Sequence, residues 1–358
     1  MSHRKQRRFI LILLAVILSM AFGGAALAWF APLIGAPLPQ QNFSFNPAAF
    51  EQKPEGSEPK RTTAPVLVED QKIQEVTETF EIEVGSSIAE QTNMPVCKGP
   101  ESMAILVLGI DENAQADAIR LVRVDFLKNK VAVVSIPRDF YVPIVDMAEP
   151  GINQGRINAT YGYGEWFNGR GQGIISVANY IEHNFGVTFD HYILLNFKDI
   201  AAYIDQVGGI ELLLEQPVAD GSRYFSSGLH NMDGQTAVGF MRMRYYDTDF
   251  ARIKRQSMVL RAFFKKAMQE LNVYEQTQLG INGLLDKNIQ SDFAVKDLSS
   301  LICLAGLVDR NDVDFVEIPG EMYTGFTTSS GGNVQIPYAD VVPFIQSVMN
   351  GSYSEIAK

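Results

Sequence analysis

Residues Phe9 to Ala31 form an unbroken run of 23 uncharged, mostly apolar residues, and the eight residues before them include Arg4, Lys5, Arg7 and Arg8 with no acid. Wound as a helix, such a run crosses a hydrocarbon layer of roughly 30 Å. A cationic flank stays on the cytoplasmic side, so everything beyond the run is expected outside. A cleaved signal peptide is the competing reading, because Ala26-Leu27-Ala28 offers small residues at a cleavage-like spacing. The run continues past that point through Trp29 and Phe30, which favours an anchor that is kept. The expected layout is a cytoplasmic tail over 1–8, a transmembrane anchor over 9–31, and a single-pass cell-membrane protein whose folded part is extracytoplasmic.

Charge narrows the range of partners. The 358 residues hold 30 Lys and Arg against 41 Asp and Glu, a net −11. Four of the cations and none of the acids fall in the first 30 residues, so the remainder stands at −15. That balance argues against a nucleic-acid partner and forces any phosphate site to be a local cluster of cations. Two cysteines, Cys97 and Cys303, lie in the expected oxidising compartment, where a disulfide and two buried free thiols are both open.

From about Pro32 to residue 98 the chain is rich in Pro, Gln, Asn and Glu with little periodicity, as in Pro37-Leu38-Pro39-Gln40-Gln41, and reads as an extracytoplasmic linker. At Met103 the texture changes. Met103–Ile110 is an apolar strand, Ile119–Phe126 alternates, and Val131–Ile136 is a short β-branched run. Helical spacing then covers Gly173–Phe185, followed by a strand over His191–Phe197, a helix over Lys198–Val207 closed by Gly208-Gly209, and a strand over Ile210–Leu214. A long helix is expected over Phe250–Leu271, with further helices near Ala294–Leu307 and Tyr338–Met349 and a strand near Val313–Ile318. Strands alternating with helices imply a layered α/β domain with helices on both faces of a central sheet.

Between Phe240 and Gln256 five of seventeen residues are cationic, against the acidic trend of the chain. The alternation Phe240-Met241-Arg242-Met243-Arg244 reads as a strand that puts Arg242 and Arg244 on one face. Asp249 is a candidate N-cap for the next helix, on which Arg252, Arg255 and Gln256 share one side. Cations in a first helical turn oppose the helix dipole at about 0.3–1 kcal/mol each, so an anion is expected there. Guanidinium forks match phosphate oxygens, which makes a pyrophosphate the natural guest. An Arg/Asp salt-bridge lattice is the bland alternative.

Asp111 and Asp117 leave the first strand six residues apart, at the strand end where α/β sheets gather ligands. Hard carboxylate oxygens there suit Mg²⁺ held together with substrate phosphates, while turn capping is the structural alternative. Pro137 stops the third strand and delivers Arg138 to the same end; a solvated surface charge is its plainer reading. Arg156 to Gly164 reads as a polar and aromatic loop. His3, His183, His191 and His230 form no zinc pair, and neither a Gly-x-Ser-x-Gly elbow nor a Cys-x-x-Cys occurs, which argues against a triad hydrolase.

Leu108-Gly109-Ile110-Asp111, Asp117, Ser135-Ile136-Pro137-Arg138-Asp139, Ile157-Asn158-Ala159, Asn196-Phe197, Val207-Gly208-Gly209-Ile210, Arg242-Met243-Arg244, Asp249-Phe250-Ala251-Arg252 and Arg255-Gln256 occur in this order. Together they resemble the LytR-CpsA-Psr family over about residues 99–350. The resemblance implies a three-layer α/β/α sandwich around a central mixed sheet, with an apolar groove for a polyprenyl chain. It also implies a phosphotransferase that moves a glycopolymer from a polyprenyl-pyrophosphate carrier onto the cell wall, with peptidoglycan as acceptor and Mg²⁺ or Mn²⁺ assisting. Carried over by position, Asp111 and Asp117 match the metal carboxylates. Arg138, Arg242, Arg244, Arg252 and Gln256 match the pyrophosphate clamp, and Arg255 lies in the same motif. Asp249 and Arg252 become the catalytic candidates, Asp249 as acceptor of the hydroxyl proton or, equally, as a helix cap.

Three positions depart from the family pattern. Gln115 stands where an Arg is usual, Ala118 where Thr is usual, and the stretch from Arg244 to Asp249 is short. The missing cation keeps two other functions in view: a non-catalytic binding or scaffold protein for polyprenyl pyrophosphate, and a hydrolase of the pyrophosphate link. Regulation of transcription has no support in an acidic, outward-facing domain.

Overall fold

The computed structural model describes residues 38, 50–52, 97, 99–111, 113–144, 153–243, 249–270, 289–305, 307–308, 312–329 and 331–353. Its core is a mixed α/β arrangement begun by an antiparallel meander of β1 (Ser102–Ile110), β2 (Ala116–Asp125) and β3 (Lys130–Ile136). A small ladder of β4 (Tyr141–Pro143) and β5 (Gln154–Arg156) leads to the short helix α1 (Ala159–Tyr163), α2 (Gly173–Phe185), β6 (His191–Asn196) and α3 (Phe197–Gln206). Next come β7 (Ile210–Leu214), β8 (Val218–Ala219), β9 (Tyr224–Phe225), β10 (Gly228–Met232), α4 (Gly234–Met241) and α5 (Asp249–Glu270). The chain closes with β11 (Gln290–Ser291), α6 (Val295–Ala305), β12 (Val313–Glu317), the hairpin of β13 (Tyr323–Thr327) and β14 (Asn333–Pro337), and α7 (Val341–Asn350). Six strands form the central sheet in the order β11-β6-β1-β2-β3-β12. β6 runs parallel to β1 and β12 parallel to β3, so the sheet is mixed.

Side-chain alternation explains the layers. Leu106, Leu108, Ile119, Leu121, Val134 and Ile136 point to one face, where Val177, Ile181 and Phe185 of α2 and Val341, Ile345 and Val348 of α7 bury them. On the opposite face Met103, Ile105 and Val124 meet Phe293 and Leu304, the latter on α6. Each fully buried side chain of this size contributes about 1.5–3 kcal/mol, so the two faces anchor the sheet between helices. A further cluster joins Phe197, Ile204, Ile210, Leu212, Phe240 and Val259, which ties α3, the β7–β10 hairpin, α4 and α5 into one body.

Helix ends are set by capping. Asn196 accepts from the backbone N–H of Lys198 at 2.8 Å and of Asp199 at 3.2 Å, and Asp199 accepts in return from the N–H of Asn196 at 3.0 Å. This reciprocal box stops β6 at Asn196 and starts α3 at once. At the other end of α2, Gly186 takes φ 67°, a left-handed cap that a β-carbon would disfavour.

Two expectations are corrected. Phe240 to Met243 is no strand: Phe240 and Met241 end α4, and the Arg242 N–H closes that helix on the carbonyl of Val238 at 3.1 Å. Asp233 caps this helix by accepting from the N–H of Thr236 at 2.8 Å, and the burial of Ala237, Phe240 and Met241 at helical spacing outweighs the short period-2 pattern. Within the expected loop from Arg156 to Gly164, residues 159–163 are helical and continue into a π-helical turn over Gly164–Asn168. The anchor over 9–31 lies outside the described residues, as does nearly all of the linker over 32–98. Among the described residues no helix is long and apolar enough to cross a membrane.

Cys97 and Cys303 are joined in a disulfide with Cα atoms 5.8 Å apart, across a separation of 206 residues. The link pins the start of the folded region to α6. Closing so long a loop in the unfolded chain is expected to stabilise the fold by about 2–5 kcal/mol. Replacing both cysteines by Ser should therefore lower the urea midpoint clearly, with dithiothreitol lowering the parent protein to the same value. An unchanged midpoint in both experiments would remove the bridge from the account of stability.

Candidate functional site

β1, β3, β6 and β12 run in one direction, so their carboxyl ends share one edge of the sheet with the start of β2. That edge is where helices cannot cover the strand ends and where ligands gather in α/β folds. Five segments meet there: the loop after β1, the first residues of β2, the segment after β3, the β6–α3 junction and the first turns of α5.

The register between β1 and β2 steps from Gly109↔Ala118 to Ile110↔Ala116, which leaves Asp117 as the extra residue of a bulge. A bulge re-aims the side chain it carries. Gly109 permits the close approach, since a β-carbon there would lie 3.1 Å from that of Ala118. Asp117, 4% exposed, receives a direct hydrogen bond and ion pair from Nη1 of Arg138. Asp111 instead folds its own loop: Oδ1 accepts from the N–H groups of Asn113 and Gln115, each at 2.9 Å, and Oδ2 from the Asn113 amide at 3.2 Å. The turn it holds places Ala114 at φ 56°, a left-handed conformation that alanine adopts at a cost of about 1–2 kcal/mol. α1 packs over this loop at Gly162, where a β-carbon would come within 2.9 Å of the Ala114 carbonyl oxygen.

Arg138 is carried by a second set of bonds. Asn158, buried, donates its N–H to the Arg138 carbonyl at 3.1 Å, accepts from Ala116 N–H at 3.1 Å, and donates its amide to Oε1 of Gln115 at 3.2 Å. This residue stitches the loop after β1 to the segment after β3. Asp139 lies 3.5 Å from both Arg138 Nε and Arg156 Nε, so part of the cluster is the salt-bridge lattice of the plainer reading.

The other cations gather around the start of α5 and the β6–α3 junction. Arg242 is half-buried, with its guanidinium 5.3 Å from the centre of the Phe197 ring, a cation–π contact supplied by the first residue of α3. Arg252, Arg255 and Gln256 are buried in the first two turns of α5, and Arg255 donates to the Met243 carbonyl at 2.6 Å. Arg120, a residue that reading the sequence did not single out, points from β2 to the same helix. It donates to Gln256 Oε1 at 3.1 Å and to Ser257 Oγ at 3.3 Å. Arg244 lies outside the described residues. Asp249 is the first residue of α5, and its side chain is likewise outside them.

Asp117 is the bulge residue and Asp111 lies in the loop after β1; carboxylate oxygens are the ligand type that Mg²⁺ takes together with phosphate oxygens and water. Among the described residues no group of three or more His, Cys, Asp or Glu could hold a metal by itself. Tyr161, on α1, is held as a hydroxyl: burial, then the charge of Glu165 and the nearby Tyr192, push it up to about 12. It is no proton acceptor near neutral pH. What the edge offers chemically is a cationic cradle beside two carboxylates, suited to holding and polarising a phosphate group.

The chain matches the model of the LytR_cpsA_psr family over residues 66–339. It is 31% identical over 230 residues to the polyisoprenyl-teichoic acid–peptidoglycan teichoic acid transferase TagU of Oceanobacillus iheyensis, covering 62% of this chain and 68% of that protein. TagU of Bacillus cereus is 30% identical over 201 residues, and the match spans 54% of this chain and 62% of that relative's length. In fold the chain is similar to the crystal structure of B. subtilis TagV, with a TM-score of 0.56 and 20% identity over 70% of this chain and 98% of that one.

The two carboxylates should separate by stability. Asp117→Asn removes the carboxylate to which Arg138 Nη1 donates and is expected to cost about 1–3 kcal/mol in chemical denaturation. Asp111→Asn keeps an acceptor oxygen for the turn and should stay within about 0.5 kcal/mol of the parent. Equal losses would mean that the ion pair does not organise the bulge.

Proposed function

Because this chain belongs to the LytR-CpsA-Psr family, we propose that it is a phosphotransferase moving a glycopolymer from a polyprenyl-pyrophosphate carrier to peptidoglycan. What supports this reading is that Arg138 pairs with Asp117, Arg242 lies over the Phe197 ring, and Arg252, Arg255 and Gln256 are buried in the first turns of α5, which Arg120 ties to β2. The names of the TagU relatives agree with a polyisoprenyl-linked donor and a peptidoglycan acceptor.

In this mechanism the guanidinium groups bind non-bridging oxygens of the pyrophosphate and hold the reacting phosphorus in line with a sugar hydroxyl. As the phosphorus–oxygen bond to the carrier breaks, charge grows on those oxygens, and fixed cations stabilise it without reorganising. Asp249, at the start of α5, is assigned to take the proton of the attacking hydroxyl. Asp111 and Asp117 would hold a Mg²⁺ or Mn²⁺, which when bound neutralises phosphate charge. Partly buried Val107, Val122, Val131 and Ile193 on the α6 side of the sheet supply an apolar face suited to a polyprenyl tail.

The 9–31 run is assigned as the anchor, with 1–8 cytoplasmic, 32–98 a linker and 99–350 the extracytoplasmic catalytic domain. The disulfide supports an oxidising compartment, and helices on both sheet faces support a three-layer sandwich.

The test is turnover by the detergent-solubilised full chain with a polyprenyl-pyrophosphate-linked oligosaccharide, a peptidoglycan oligomer and Mg²⁺. A phosphodiester joining sugar to acceptor is the expected product. Release of sugar phosphate at the same rate without acceptor would instead establish a hydrolase, and binding without turnover a scaffold. Arg138→Ala and Arg242→Ala should each lower kcat/KM by about tenfold to a hundredfold, equivalent to about 1.5–3 kcal/mol for a hydrogen bond to a charged group.

A further inference from the structure

We propose that Arg120 is a positioning residue that aims the Gln256 amide at the phosphate of the bound substrate. The inference rests on the phosphate reading of the site, and it concerns a residue outside every motif that suggested that reading. Arg120 sits on β2 opposite Val107 of β1 and Ser135 of β3, one residue before the end of β3, and is 4% exposed. Its Nη2 donates to Gln256 Oε1 and its Nη1 to Ser257 Oγ, so it braces two successive residues of α5 from below.

A guanidinium has donors and no acceptor, so the amide facing it must present oxygen. The orientation of Gln256 is thereby decided: Oε1 lies toward Arg120 and the Nε2 donor pair is directed away. Gln256 is 2% exposed, and its Nε2 is buried with no hydrogen-bond partner among the described residues. A buried amide nitrogen in that condition calls for an acceptor from a ligand. Gln256 follows Arg255 and lies one helical turn beyond Arg252, so an anionic oxygen lodged beside these guanidiniums is the acceptor the geometry supplies. Without Arg120 the amide could turn over and present oxygen to the same phosphate, which repels it.

Farnesyl pyrophosphate is a suitable probe, titrated calorimetrically into the detergent-solubilised full chain. Arg120→Met and Gln256→Ala should each weaken binding about tenfold, and Arg120→Met should change affinity less than about twofold when Gln256 is already Ala. Arg120→Lys keeps a donor to Oε1 and is expected to bind within about threefold of the parent, which leaves the test intact should Arg120→Met fail to fold. Full additivity of the two losses would overturn the positioning role. So would unchanged affinity in Arg120→Met, or a loss in Arg120→Lys as large as in Gln256→Ala at equal melting temperature. Absence of binding by the parent protein would instead overturn the phosphate reading, and the inference with it.

Discussion

Like charges crowded under cover are the constraint around which this structure is arranged. Arg120, Arg252 and Arg255 are buried beside the end of a sheet, with Arg138 and Arg242 partly so, in a chain that is acidic overall. Desolvating a guanidinium costs several kcal/mol unless its donors are met. Arg138 finds an Asp117 carboxylate re-aimed by a bulge, Arg120 the Gln256 and Ser257 side chains, Arg255 the Met243 carbonyl and Arg242 the Phe197 ring. The partners come from β2, α5, the segment after α4, and α3. The register step in β1–β2, the capping box of α3 and the packing of α5 against β2 each place one or more of these groups.

The two carboxylates do different work in the fold. Asp111 spends its acceptors on the backbone of its own loop, while Asp117 reaches across to the segment after β3. Asn158 completes the connection by bonding to both segments. Gln115, which stands where a cation is usual in the family, accepts from Asn158 and so joins the scaffold of the loop.

Much of this was legible in the sequence, for physical reasons that also mark where legibility ended. The meander, α2 and α5 were readable because long stretches carry one unambiguous period, and their observed bounds differ from expectation by a few residues at most. Arg242 reads as a strand residue because five residues fit a period of two, too short a window against a capped helix whose buried positions start at Gly234. Arg120 was passed over because alternation on β2 tells which residues share a face. It does not tell what covers the second face, and that cover, the first turns of α5, comes from 136 and 137 residues later, as the separations of its two hydrogen bonds show. The disulfide was undecidable from spacing alone, since only the folded chain brings Cys97 to α6.

The central claim is that the cationic edge recognises a pyrophosphate head rather than an apolar tail. Thermal unfolding of the full chain in detergent with farnesyl pyrophosphate, against farnesol at the same concentration, separates the two, because a ligand that binds the folded state raises its melting temperature. The account predicts a rise of several degrees with farnesyl pyrophosphate that shrinks as salt is added, and little change with farnesol. An equal rise with both compounds, insensitive to salt, would contradict it.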